Sequence, residues 1–247
     1  MNIGLYQSAS SLSALERWQD AVAQNITSSQ VTGYRERTVQ FSGVSTGQLQ
    51  TGSGTSSADT TTAVFPSASN GVNFATGSTQ PTGRELDVAI QGPGFFEVQL
   101  PDGTHGYTRN GEFSSTADRA LVTTSGAQVL SDNGSPISLS PNGGPITIKA
   151  DGTLLQGTTN LGRIGIQNFA SNSSLTPIAG GVFVANDGSA PEPVTKPDVL
   201  QGYLEASNVS PMREMVDMVL ISRSYEANQK VIKTADQNSQ KAIEALG

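Results

Sequence analysis

Apolar residues recur at helical spacing near both ends of the chain, in stripes too narrow to form a core alone. In the first thirty residues, successive members of the stripe are three, four or seven positions apart, so they share one helix face. The spacing predicts a helix over residues 3–29. The stripe and its flanking tryptophan comprise Leu5, Leu12, Leu15, Trp18, Val22 and Ile26.

A second helix is predicted from Ser210 almost to the last residue. Ser210 is a good N-cap and Pro211 suits the first helical turn. Around residues 218–221 the apolar side chains encircle the helix, so one partner helix cannot cover them. The predicted seam runs through Met215, Met218, Tyr225, Ile232, Ile243 and Leu246.

Two arrangements of these helices follow from the sequence. Either they form an ordinary hairpin that closes one domain, or they become ordered only against neighbouring subunits. Isolated helices are marginal in water, which favours assembly.

The segment after the first helix is poor in core-forming residues. Residues 42–83 are rich in Ser, Thr, Gly and Gln, and Asp59 is their only charge. Such a composition is typical of a flexible linker. The alternative is a loop or strand pair that orders against a neighbour in an assembly.

From residue 86 onward, short β-type runs alternate with turn signals. Residues 86–100 predict a hairpin around Gly92-Pro93-Gly94, and Asn110-Gly111 predicts another turn. Strands at this spacing favour a sandwich or an irregular barrel. The predicted fold class is therefore α+β. Three regions are predicted: a discontinuous helical domain of paired terminal helices (1–35 with 208–247), an extended connector (36–85) and a central all-β domain (86–207).

Composition argues against most chemistry. The net charge is −7 over 247 residues without a basic cluster, which disfavours nucleic acid and anionic membranes as partners. Cysteine is absent and His105, expected in a surface loop, is the single histidine, so we expect no metal site and no catalytic triad. Gly92-Pro93-Gly94 precedes a strand rather than a helix, which disfavours phosphate binding, and we expect no cofactor and no small-molecule substrate.

Two further expectations concern targeting. The amino terminus lacks the basic start, apolar core and cleavage site of a Sec-type signal peptide. No run approaches about eighteen apolar residues, so no membrane insertion is expected.

Several motifs occur in an order that resembles the bacterial flagellar rod and hook proteins. Residues 23–35 resemble the family's amino-terminal signature, although Thr27-Ser28 replaces its closing Ala-Asn and Val31 stands just ahead of Thr32. The remaining motifs are LDVAIQGPGFF (86–96), YTRNGEF (107–113), GYLEASNV (202–209) and RSYEANQKVI (223–232).

The resemblance implies a structural subunit of the basal-body rod, which transmits torque in the periplasmic space. It implies export in an unfolded state by the flagellar type III apparatus without a cleaved signal peptide, and assembly with other rod subunits and with copies of itself. The terminal helices would pair as a coiled coil around the export channel, with the β domain outside. We expect the helix stripes to carry assembly, together with Asn25 and Asn228 as amides that bond across subunits, and Gly33, Gly92, Gly94 and Gly111 to be structural turns.

The position along the rod is predicted from length. The chain is too short for a typical hook subunit, and residues 41–87 are short for the long loop of the distal rod protein. A proximal rod subunit is therefore favoured, with the distal rod protein as the alternative. A different class, a secreted cell-wall-active enzyme using carboxylates such as Glu85 and Asp87, would be revealed by a lytic band in a zymogram.

Overall fold

The structure, a computed structural model, is an α+β protein with a helix at each end and a mostly β body, as the sequence predicts. It describes residues 3–50, 60–141, 143–186 and 189–244. Within these ranges, the side chains of residues 3, 5, 46–50, 60–63, 239, 242 and 243 are not described. Predictions for Leu5, Ile243 and Leu246 therefore lie outside the described residues.

Along the chain, the helix α1 (Ile3–Ser28) precedes the strands and the helix α2 (Pro211–Glu244) follows them. Pro211 opens α2 as predicted, and the backbone amides of Arg213 and Glu214 donate to Ser210 O. The strands are β1 (Arg37–Gln50), β2 (Thr60–Val72), β3 (Thr79–Pro81), β4 (Val88–Gln91), β5 (Phe95–Gln99), β6 (His105–Thr108), β7 (Phe113–Ser115), β8 (Leu121–Thr123), β9 (Gln128–Val129), β10 (Ile146–Ile148), β11 (Thr153–Gln156), β12 (Thr159–Arg163), β13 (Ile166–Asn168), β14 (Leu175–Pro177), β15 (Val182–Ala185), β16 (Glu192–Pro193), β17 (Asp198–Gln201) and β18 (Tyr203–Glu205).

One compact unit contains both helices and the β1–β2 pair. It comprises the described residues of Met1–Thr27, Arg37–Gly71 and Ser210–Gly247. The strand pair lies against α1, because Arg17 Nη1 donates to Ala68 O over 2.8 Å and the rings of Trp18 and Phe41 meet edge to face at 5.6 Å. The flexible-linker interpretation of residues 42–83 is therefore wrong for residues 42–50 and 60–72, which pair as strands and contact the helix α1 of the same chain.

The second unit is the β body, formed by Ser28–Glu36 and the described residues of Val72–Val209. Its largest sheet runs β14-β15-β6-β5-β9-β8-β7, with β13 beside β5 and β16 beside β13. Separate ladders join β10-β11-β12, β4 with β17, and β3 with β18. Alternate residues of the short strands fill one core that includes Phe96, Phe113, Leu121, Val129 and Leu154.

The predicted hairpin over residues 86–100 is wrong. Strand β4 pairs with β17, where Ile90 faces Val199, whereas β5 pairs with β6, β9 and β13. The Gly-Pro-Gly segment therefore passes the chain from one sheet to another. Asn110-Gly111 does not turn a hairpin either, because β6 and β7 are not paired. Turn residues bend the chain locally, but the choice of strand partner depends on contacts far away in sequence.

Candidate assembly surface

One face of α2 is buried in the chain. Its members follow the alternating four- and three-residue spacing of a coiled-coil seam. Ile221 is only 1% exposed, and the charged side chain of Glu214 is buried as well. Glu214 and Ile221 are buried, and the other four members are partly buried. The face comprises Glu214, Met218, Ile221, Tyr225, Asn228 and Ile232.

The opposite face of α2 is apolar and exposed. At about 100° per residue it lies half a turn away from the packed face. A helix that is apolar on both sides needs a second surface to cover it. The exposed stripe comprises Met212, Met215, Val216, Val219 and Leu220, which are between 46% and 74% exposed.

These two faces separate residues that the sequence placed in one seam. Met218, Tyr225 and Ile232 share the packed face, whereas Met215 lies in the exposed stripe. Asn228, predicted separately as an assembly residue, also lies on the packed face. Ile221 and Glu214 also belong to the packed face, although the predicted seam did not include them. Ile221 lies three residues after Met218 and four before Tyr225, and this helical spacing is the signal that could have found it.

The predicted stripe of α1 is largely buried or half-buried. Leu15, Val22 and Asn25 are buried, while Leu12, Trp18 and Ile26 are half-buried. Two alanines on the same side, Ala14 and Ala21, are also buried and were missed. Small side chains there allow close approach of the packed elements.

A polar clamp connects the end of α1 to β1 and to the start of α2. The Asn25 side chain donates to Arg37 O over 2.9 Å and accepts from Arg37 N over 2.8 Å. Its Nδ2 also donates to Glu214 Oε2 over 3.2 Å. The Asn25 side chain thus bonds within its own chain. The Asn228 side chain does so too, because its Nδ2 donates to Ser224 O one turn earlier in α2.

The four predicted turn glycines differ in what requires them. Gly33, Gly92 and Gly94 have φ of +67°, +93° and +120°, values that L side chains rarely adopt. At Gly94 an added Cβ would also lie 2.9 Å from Ile166 Cγ2. Gly111 has no positive φ; an added Cβ would instead overlap the carbonyl oxygen of Val88.

Two residues considered for a catalytic or metal-binding role, His105 and Asp87, contact neighbouring charged side chains of the β body. His105 begins β6 rather than lying in a loop, and its Nδ1 is 2.7 Å from Glu97 Oε1. Asp87 is completely buried, with Oδ1 3.5 Å from Arg84 Nε. In the described ranges, no three His, Asp or Glu side chains converge as metal ligands would, and neither helix is long and apolar enough to cross a membrane.

Two family models match the chain. One describes the carboxy-terminal part of flagellar basal-body rod FlgEFG proteins and matches residues 200–245. The other describes the D1 domain of flagellar hook proteins FlgE/F/G and matches residues 89–156.

Full-length relatives decide the family. The chain is 35% identical to the flagellar basal-body rod protein FlgF of Caulobacter vibrioides, over 100% of this chain and 99% of the relative. The chain belongs to the flagellar basal-body rod protein family. The rod protein FlgF of Mesorhizobium japonicum is 33% identical over 100% of this chain and 99% of the relative. The rod protein FlgG of Buchnera aphidicola is 31% identical over 96% of this chain and 97% of the relative.

Membership in the rod protein family makes this chain a structural flagellar protein rather than an enzyme. The alternative hypothesis that this chain is a cell-wall-active enzyme is therefore wrong. Of the two carboxylates considered for it, Asp87 is fully buried and offers no surface to a polysaccharide, whereas Glu85 is exposed.

Proposed function

We propose that this protein is an axial subunit of the proximal flagellar rod, assembling with copies of itself and with other rod subunits. The exposed apolar stripe of α2 carries the proposal. Burying apolar surface yields about 25 cal/mol per Å², so five such side chains supply a strong drive to associate. The stripe is exposed, so its side chains can contact a neighbouring subunit.

The two opposed faces of α2 suit a helical filament. One face packs within the chain and the other would pack on a neighbouring subunit, which is a heterologous contact. A contact of this kind builds an open helix whenever the rotation between subunits does not close a ring. In the proposed assembly, α1 and α2 form the terminal helical domain, pair as a coiled coil and line the export channel.

The proximal position is proposed from the short stretch between residues 41 and 87. The distal position is the alternative. Immunogold labelling of a tagged copy on isolated basal bodies distinguishes them. Label near the inner-membrane end supports the proximal position, and label next to the hook supports the distal one.

We further propose that the subunit reaches the periplasmic space through the flagellar type III export apparatus with its amino terminus uncleaved. Amino-terminal sequencing of the protein recovered from basal bodies tests this. A start at Met1, or at Asn2 after removal of the initiator methionine, is expected. A start further inside the chain would contradict the proposal.

The role of the stripe is tested with Val219→Asp, at a residue that is 52% exposed. Because this side chain contributes little to the packing of the monomer, we expect a normally folded protein by circular dichroism. Rod assembly and motility should be lost, since the charge would have to be buried in the subunit contact. Gln229→Asp, on an exposed polar position of the same helix, is the control. Full motility of Val219→Asp would contradict the proposal.

A further inference from the structure

Three segments of the β body are joined by the side chain of one asparagine. Asn208 Oδ1 accepts a hydrogen bond from the backbone amide of Glu36 over 2.7 Å. Its Nδ2 donates to the carbonyl oxygens of Asn73 and Ala75, over 2.8 Å each. The amide of Asn208 therefore engages two chain segments that are distant from it in sequence.

The same segments are also bonded to each other. Asn73 Nδ2 donates to Glu36 Oε2 over 2.8 Å, and Asn73 N donates to Glu36 O over 2.8 Å. The backbone N–H of Asn208 donates to Tyr34 O over 3.4 Å. The hydrogen bonds form a closed set among Glu36, Asn73 and Asn208.

A buried ion triplet lies beside this set. The side chains of Arg35 and Arg109 both contact Glu205, at 2.7 Å and 3.3 Å, and all three are at most 4% exposed. Gly77 N donates to Glu205 Oε1 over 2.9 Å, and Gly33 N donates to Glu205 O over 2.7 Å. The triplet ties the same segments together a second time.

These contacts stand where the chain leaves the β body. The body consists of Ser28–Glu36 and Val72–Val209, so the chain crosses its boundary after Glu36, before Val72 and after Val209. Glu36, Asn73 and Asn208 each lie at, or one residue inside, a different crossing. We propose that Glu36, Asn73 and Asn208, supported by the Arg35–Glu205–Arg109 triplet, form a collar that holds the three exit segments at fixed spacing.

The side chain of asparagine suits position 208 because this position needs one acceptor and two donors. An asparagine amide offers an acceptor and two donors from one short side chain, and each is used here. Aspartate has nearly the same shape but no donor, and would direct a carboxylate at two carbonyl oxygens. Such a change removes the two bonds that Nδ2 donates, and keeps an acceptor for Glu36 N, without changing the packed volume.

The collar is a property of the chain itself and is independent of the proposed position in the rod. The chain has no cysteine, so spin labels can be attached at Gln30→Cys and Thr76→Cys alone. Both residues are exposed and lie on two of the three exit segments. Electron–electron double resonance then measures the distribution of distances between the labels in the purified protein.

We expect a single narrow distribution in the doubly labelled parent and at least a twofold wider one with Asn208→Asp. Asn160→Asp is the matched control, because the Asn160 side chain uses only Oδ1, accepting from Gly162 N, and aspartate keeps that acceptor. If Asn208→Asp loses its near-ultraviolet circular dichroism, Asn73→Ala replaces it, since this removes only one side of the collar. An unchanged width in a folded collar variant, or a broad distribution in the parent, overturns the proposal.

Discussion

Asn25 and Glu214, which are 189 positions apart, meet in a buried hydrogen bond of 3.2 Å. Asn25 lies in the last turns of α1 and Glu214 in the first turn of α2. An acidic residue suits that turn because the free backbone amides of a helix N-terminus favour negative charge. One amide therefore links the two terminal helices to each other and, through Arg37, to β1.

Removal of this link should destabilise the helical unit. We expect Asn25→Ala to lower the free energy of unfolding by about 1–3 kcal/mol, because the backbone of Arg37 and the carboxylate of Glu214 lose hydrogen bonds from a buried partner. Urea unfolding followed by far-ultraviolet circular dichroism measures the change. Asn238→Ala, at an exposed position of α2, should stay within about 0.5 kcal/mol of the parent. Equal stability of both variants would show that the clamp is not structural.

Tyr225 tests the packed face of α2. Tyr225→Asp places a charge at a partly buried position of the packed face, between Ile221 and Asn228, at a cost on the order of several kcal/mol where the site is fully desolvated. We expect the variant to be exported but to build no rod, as scored by motility and by electron microscopy of basal bodies. Tyr225→Phe keeps the ring and should assemble normally. Normal motility of the aspartate variant would show that rod building does not depend on the packed face.

Two glycines of the β body should resist substitution for different reasons. Gly94→Val introduces a branched side chain at φ +120° and against Ile166, and Gly111→Ala forces a Cβ into the carbonyl of Val88. Each should cost about 3 kcal/mol or more, seen as a large drop in melting temperature. Gly134→Ala is the control, because it has φ +74° but open space around it, and about 1–2 kcal/mol is expected. A Gly111→Ala protein that melts like the parent would mean that the backbone moves freely there.

No residue of the β body is expected to be catalytic. His105→Ala, Glu85→Ala and Asp87→Ala should therefore leave motility close to normal, although the buried Asp87 variant is expected to melt at a lower temperature. Swimming assays and thermal melts on the three proteins check this. A stable, well-folded Asp87→Ala protein without any function would point to a chemical role.

Periodicity explains why the terminal helices were predictable. The three- and seven-residue spacing of Leu12, Leu15 and Val22 is a local property, and the structure places all three on buried or half-buried positions of α1. The Ser-Pro start of α2 is equally local. The ordered motifs likewise sufficed for the family, because they cover nearly the whole chain and do not depend on which strand pairs with which.

Strand partners were not predictable in the same way. The glycines at 92, 94 and 111 mark bends correctly, but a bend is compatible with a hairpin or with a passage between sheets. The pairing of β4 with β17 joins segments about a hundred residues apart, and the shared core around Phe96 and Leu121 selects it. A turn signal carries no information about that core.

The sequence by itself determined the two helices, the β character of the body and the family, since each is written in spacing and motif order. Only the tertiary structure decided which face of α2 is packed, why Met215 parts from Met218, and that Asn25 bonds to Glu214. A helix that is apolar on all sides has no preferred inner face of its own. The face that packs is chosen by the elements that the rest of the chain brings against it.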